Sequence, residues 1–492
     1  MANFCEEYHM SKVYFLVIIY SCSVTSVYSA SLIGEFLKEN SSIKENFYSS
    51  KIAELEQAAL SATKSWSIDG SLSENSSRLE TSTSNTSPLE TDYTYSSLGV
   101  SKSFGFGTSL SLTNALTKYN RSKWPAATIG TLPKKPYVFS QTLSVSQDLG
   151  KNFFGREFNK QMEMARLSET YNKSALDLVD QKALLTFYSA YVSARLNKTI
   201  INLQQMAYQR SKRRQKDVQR KVNDGLKEKV DLYQSQISQQ FQLESYEEAR
   251  KDFYSSLGTL SESVNRSITD SEIKEFVLDS NNLLESSVAA KLDQHIEIKS
   301  LEQKLSYLNE KENEVRLDYW PTVSLATSYQ TNDYDKSFSD SFNTGKLGGK
   351  NREWSVGLTV SYPLGNESAN VQKSEVVLEK QQAGSNLGKA KKSIKIAFES
   401  LKLELGQVRK NVKSAETRRF LSKKALSETN RLYNLGRADL DRVIRAEEDL
   451  ISTEKSFAAH LAKWEILQAK KVYYSNNLVE FLMYWEKTIW KN

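Results

Sequence analysis

Trp354-Ser355-Val356-Gly357-Leu358-Thr359-Val360-Ser361-Tyr362-Pro363-Leu364-Gly365 is a strand with two unlike faces. Trp354, Val356, Leu358, Val360 and Tyr362 fall on one side, and only Ser, Gly and Thr on the other. Period two with one greasy and one small polar face is what a wall between lipid and water requires. The closing Leu364-Gly365 opens directly into a proline-free stretch from Asn366 to Tyr433. There Ala383, Leu387, Ala390, Ile394, Phe398, Leu401, Leu405, Val408, Val412 and Ala415 recur at spacings of four and three. That spacing predicts a coiled-coil helix of about 68 residues, on the order of 100 Å long, more than a globular domain needs.

Upstream, Phe139-Ser140-Gln141-Thr142-Leu143-Ser144-Val145-Ser146-Gln147-Asp148-Leu149-Gly150 matches this segment at an offset of 215 residues, with six of twelve positions identical. It too precedes a proline-free stretch, Phe158 to Val222, with Leu176, Val179, Ala183, Phe187 and Tyr191 as candidate seam residues. Each long helix then meets a glycine turn: Gly225-Leu226-Lys227 in the first half and Gly436-Arg437-Ala438 in the second, 211 residues apart. The chain reads as an internal two-fold repeat, residues 30–285 and 286–492, each with strands, a long helix, a glycine turn and a returning helix.

Between the halves of the second strand pair, 320–330 and 354–362, the Gly/Asp/Ser/Lys-rich run from Thr331 to Glu353 predicts a long exposed loop. The first half carries an atypical insertion at 71–136. Ser71 to Thr91 is Ser/Thr/Asn/Glu-rich and predicts a mobile connection; Leu98, Val100, Phe104, Phe106, Leu110 and Leu112 then alternate with polar residues around Gly105 and Gly107. The alternation predicts either an extra hairpin or an extension of the barrel strands above the membrane. Gly105-Phe106-Gly107 lacks the strand-turn-helix context of a nucleotide loop.

Composition excludes other classes. The chain has 492 residues, six prolines and nineteen glycines, and its +7 charge comes from 66 basic and 59 acidic residues. Signs this evenly mixed make no nucleic-acid footprint. His9, His295 and His460 are scattered, and Cys5 and Cys22 both lie near the start, so no metal-ligand spacing and no nucleophile-His-acid arrangement appears. No cofactor and no enzymatic activity are expected. Lys12, the apolar run Val13 to Tyr20 and the small residues down to Ala30 form a secretory signal peptide, residues 1–29, too short to span a bilayer. Ile19-Tyr20-Ser21-Cys22 stands as an alternative lipid-attachment site, with Tyr20 a poor fit.

A strand pair ending in Tyr362-Pro363-Leu364-Gly365, a long helix, a glycine turn and a returning helix, all twice over, resemble the TolC-type outer membrane efflux protein family. The resemblance covers almost the whole mature chain. It implies a mainly α fold with a membrane β-barrel: a homotrimer whose protomers each give four strands to a twelve-stranded barrel in outer-membrane lipid. Long antiparallel coiled-coil helices continue that barrel as a periplasmic tube. It implies a passive exit duct for efflux or type I secretion, working with a periplasmic adaptor (membrane fusion) protein and an inner-membrane transporter.

The resemblance also implies sites. The turns at Asn223, Gly225 and Leu226 and at Asn434, Leu435, Gly436 and Arg437 correspond to adaptor-docking loops, although a glycine ending a helix also has a purely structural reason. Asp231 and Tyr433 stand where the family has an acidic and a tyrosine gate residue. The arginine that completes such a network is replaced by Ala438, and Arg437 beside it points about 100° away on a helix. Arg442 and Arg445 stand where family members carry two aspartates around the narrowest constriction; the competing reading is a solvated face paired with Asp439 and Asp441. The alternative for the whole chain is a secreted or surface coiled-coil structural protein, which leaves the alternating strands unexplained.

Overall fold

The computed structural model describes residues 32–78, 90–120, 136–279, 292–348 and 351–491, without the side chains of residues 344 and 485–491. The signal-peptide reading of 1–29 lies outside them. The chain divides into a helical unit (1–49, 173–300 and 387–492) and a sheet unit (50–172 and 301–386), each drawing on both halves of the sequence.

The sheet unit holds β1 (Trp66–Arg78), β2 (Glu90–Ser103), β3 (Thr108–Asn120), β4 (Tyr137–Asp148), β5 (Thr322–Asp335) and β6 (Arg352–Ser361), all antiparallel in the order β1-β2-β3-β4-β5-β6. The expectation of four strands is therefore corrected to six. Leu98 to Leu112 do form an extra hairpin, but β2 and β3 pair with their neighbours along their whole length as full members of the sheet. The Ser/Thr/Asn/Glu-rich run expected to be a connection is strand up to Arg78 and again from Glu90. The loop expected from Thr331 to Glu353 is likewise corrected. Strand continues to Asp335 and resumes at Arg352, with a short helix, Phe338–Gly345, between. Phe342 of that helix meets Phe139 of β4 at 4.9 Å between ring centres, and the Thr331 hydroxyl donates to the Gly345 carbonyl at 2.8 Å, so the segment lies on the sheet.

Phe104 to Gly107, the turn between β2 and β3, is locked to the start of the first long helix. A Cβ on Gly155, where φ is +77°, would come within 1.8 Å of the Gly105 carbonyl oxygen, and one on Gly107 within 2.8 Å of that of Asn152. Only glycine permits this approach. Gly105 and Gly107 thus seat a hairpin at the junction where the strands give way to helix.

Among the described residues the helices are α1 (Leu32–Glu39), α2 (Ser41–Ala62), α3 (Arg156–Asn223), α4 (Lys229–Ser263), α5 (Ile296–Val315), α6 (the Phe338–Gly345 helix), α7 (Glu367–Asn434), α8 (Leu440–Tyr473) and α9 (Leu478–Lys491). The helices α3 and α7 are 68 residues each, and both begin, end and turn 211 residues apart. On α7, the expected seam residues Ala383, Ala390, Ile394, Phe398, Leu401, Val408, Val412 and Ala415 are buried. On α3 the seam is Leu184, Phe187, Tyr188, Tyr191 and Val192, whereas Val179, expected in it, is 49% exposed. The α3 residues and Phe398, Leu401, Val408, Val412 and Ala415 of α7 meet Phe253 and Leu257 of α4, Phe457, Leu461 and Trp464 of α8, and Ile33 and Phe36 of α1 in one core.

Candidate functional site

The two glycine turns have the same backbone geometry. Gly225 and Gly436 both sit at φ +72°. Gly225 N–H donates to the Val222 carbonyl (3.1 Å) and Leu226 N–H to that of Lys221 (2.8 Å). In the second turn Gly436 N–H donates to Tyr433 (3.1 Å) and Arg437 N–H to Leu432 (2.9 Å). Each pair closes a long helix by a left-handed glycine C-cap that satisfies its last carbonyls. The returning helix α8 is capped by Asp439, whose carboxylate accepts from Arg442 N–H at 3.1 Å. Asn223, Asn434 and Arg437 are exposed, and so are two apolar side chains, Leu226 (72%) and Leu435 (57%).

Beneath the turns, Val218 of α3, Tyr433 of α7, and Leu440 and Val443 of α8 form a small core. Tyr433 is 8% exposed; burial pushes its hydroxyl above the ordinary range, and that hydroxyl has no hydrogen-bond partner among the described residues. Lys221 lies 4.8 Å and Lys227 5.3 Å from the centre of its ring. The Lys227 ammonium also lies 3.8 Å from the Asp231 carboxylate. Asp231 and Tyr433 are thus brought to one cluster, bridged by Lys227 where an arginine was sought, while Lys221 over the same ring pairs with Asp217 at 2.8 Å. The sequence reading held Lys227 only as part of the first turn and missed Lys221.

Arg442 and Arg445 stand apart from this cluster on the exposed face of α8. Arg445 pairs with Asp441 at 2.7 Å, the partner its spacing suggested. A second missed feature is an ion pair between Arg214 of α3 and Glu447 of α8, both largely buried, in which Arg214 also donates to Ser238 of α4 at 2.8 Å. It ties three helices together directly behind the turns.

The sheet unit supplies the other candidate surface. Ile68, Val100, Leu112, Leu143, Tyr329 and Trp354 stand side by side, one from each strand, in register across the whole sheet. On the edge strands these apolar side chains face solvent, with Ile68 73% and Trp354 75% exposed, as are Leu72, Val356, Leu358 and Val360. Among the described residues no helix is long and apolar enough to cross a membrane.

No protein-family model and no curated protein matches the sequence. The fold does match: the chain has the fold of the TolC-type outer-membrane channels. CusC is 14% identical over 91% of both chains, with a TM-score of 0.67. The CmeC outer membrane channel of Campylobacter jejuni is 14% identical over 92% of this chain and 88% of its own, with a TM-score of 0.66. The open-state MtrE outer membrane channel of Neisseria gonorrhoeae is 16% identical over 90% and 87%, with a TM-score of 0.60. All three are channels.

Proposed function

We propose that this chain is one protomer of a homotrimeric outer-membrane channel, a passive exit duct for efflux or type I secretion. The observation that carries the reading is the apolar row running through all six strands with its ends exposed among the described residues. A soluble sheet leaves no such band exposed, whereas a lipid-facing wall requires one. A coiled-coil structural protein has no use for it.

The helical unit is incomplete in the same sense. Tyr233, Ile237 and Phe241 of α4, four residues apart, are each more than half exposed and form a stripe suited to a neighbouring protomer. Three copies then build a helical tube from the α3/α4 and α7/α8 hairpins, whose matched lengths and turns fit a duplicated ancestor. The turns at the tips, with Leu226 and Leu435 outermost, are the docking points for a periplasmic adaptor, through which an inner-membrane transporter loads the duct. Asp231, Tyr433, Lys221 and Lys227 form the gate network that holds the tips together. Arg442 and Arg445, projecting from α8, ring the constriction.

Insertion into a planar lipid bilayer tests the reading. The purified oligomer is expected to give stepwise conductances of one main size; protein that binds the bilayer without conducting, or not at all, contradicts it.

A further inference from the structure

Directly beside the apolar row lies its counterpart on the other face. Ser67 pairs with Ser101, Ser101 with Ser111, Ser111 with Ser144, Ser144 with Ser328, and Ser328 with Ser355: one serine from every strand, in register. The hydroxyls of Ser67 and Ser101 lie 2.7 Å apart, and those of Ser328 and Ser355 2.8 Å apart. Adjacent residues of a strand face opposite sides. Every strand, including both strands of the inserted hairpin, therefore contributes an apolar residue to one face and a serine to the other at the same height. A hairpin standing above the membrane has no reason to continue both rows, and its turn is seated at the sheet-helix junction by Gly105, Gly107 and Gly155.

We infer that all six strands cross the membrane and that three copies close an eighteen-stranded barrel, with a collar of eighteen serines around its lumen. The inference rests on the homotrimeric channel reading above. Among the described residues, the outer edges of β1 and β6 carry backbone N–H and C=O groups with no strand beside them. In lipid those groups must be paired. Six alternating strands leave β1 and β6 running in opposite directions, so the β6 edge of one copy meets the β1 edge of a second copy as an antiparallel pair. A head-to-tail contact of that kind closes into a ring. Six strands are too few to close alone, since the small barrels have eight. Diameter grows roughly in proportion to strand number, so eighteen strands give a bore about one and a half times that of twelve. Eighteen-stranded walls hold open aqueous channels, and this one is lined at the collar by uncharged hydroxyls.

Electron cryo-microscopy of the full chain in lipid nanodiscs counts the strands, and bromolipid quenching places the hairpin. Bimane is attached to Leu112→Cys or Ser111→Cys in a Cys5→Ser, Cys22→Ser background, with Leu143→Cys as the β4 reference. Eighteen strands in the bilayer, with Leu112→Cys quenched as strongly as Leu143→Cys and Ser111→Cys several-fold less, are the expected results. Twelve strands, or a Leu112→Cys label that bromolipid does not reach, overturn the inference while leaving a channel. A particle with no membrane-spanning barrel overturns both the inference and the channel reading.

Discussion

Arg214 and Glu447 form an ion pair between helices α3 and α8, each eleven residues from its own turn glycine, Gly225 before and Gly436 after. Their side chains are 8% and 13% exposed. The same antiparallel register recurs at Val218 and Val443, which share the small core under the turns, and a second largely buried pair, Arg195 with Glu465 at 2.7 Å, lies further along, one residue out of that register. A buried pair contributes little over a well-packed apolar one, but breaking it leaves a charge stranded. Glu447→Ala is expected to destabilise the helical unit by about 3–5 kcal/mol, whereas Arg214→Met combined with Glu447→Leu costs far less. A double-mutant cycle on helical melting followed by circular dichroism checks it; equal losses in the single and double variants contradict it.

Among the described residues, nothing beyond its chain neighbours and the helix backbone lies within 4 Å of the position a Cβ on Gly436 would take, so space does not demand glycine there; the φ of +72° does. Gly436→Val is expected to cost about 1 kcal/mol or more through backbone strain and to abolish export while leaving oligomers in the membrane. Gly436→Asn, which tolerates the left-handed region, retains most activity. Export at the normal rate in the valine variant removes the docking role of this turn.

Burial pushes the carboxyls of Asp177 and Asp180, on α3, up to about 6, against Lys299 and Lys173 for Asp177 and against the Asn46 hydrogen bond for Asp180. A folded pKa raised above the unfolded value means the native state holds more protons between about pH 4 and 6. Their contribution is therefore most favourable at low pH and is lost as pH rises through about 6. After solvent screening the effect is on the order of 1 kcal/mol per group. Asp177→Asn with Asp180→Asn is expected to raise the melting temperature at pH 7.5 and leave it nearly unchanged at pH 4.5, as read by circular dichroism.

Arg445, 74% exposed, keeps its pairing with Asp441 as a surface interaction worth a few tenths of a kcal/mol, which does not remove its charge from the field outside α8. If three copies set Arg442 and Arg445 around a constriction, the six guanidinium groups concentrate anions there. Reversal potentials in a salt gradient are expected to show no cation preference, and Arg442→Asp with Arg445→Asp to shift them toward cations. Strong cation selectivity unchanged by the double substitution places both arginines on the outside of the tube.

Much of this architecture is legible in the sequence alone. Helix bounds of 158–222 and 366–433 fall within two residues of α3 and α7, because proline-free heptads and glycine stops are local signals. The strand count was not. Alternation around Val100 and Leu112 revealed a hairpin, but only register shows that both residues join the row through Leu143 and Tyr329. The Arg214–Glu447 pair was equally hidden, since 233 residues separate its members and no local pattern connects them. Gly105 and Gly107 were visible only as the middle of an alternating stretch; that they admit Gly155 and Asn152 is a tertiary fact.

The central claim is a membrane-embedded oligomer, and the mobility of the outer-membrane fraction on a denaturing gel, unboiled and boiled, tests it most directly. The account predicts an unboiled band at about three protomer masses, collapsing to the 56.0 kDa chain, less any cleaved leader, on boiling. A chain that runs as a monomer in both lanes, or that fractionates with soluble proteins, contradicts it.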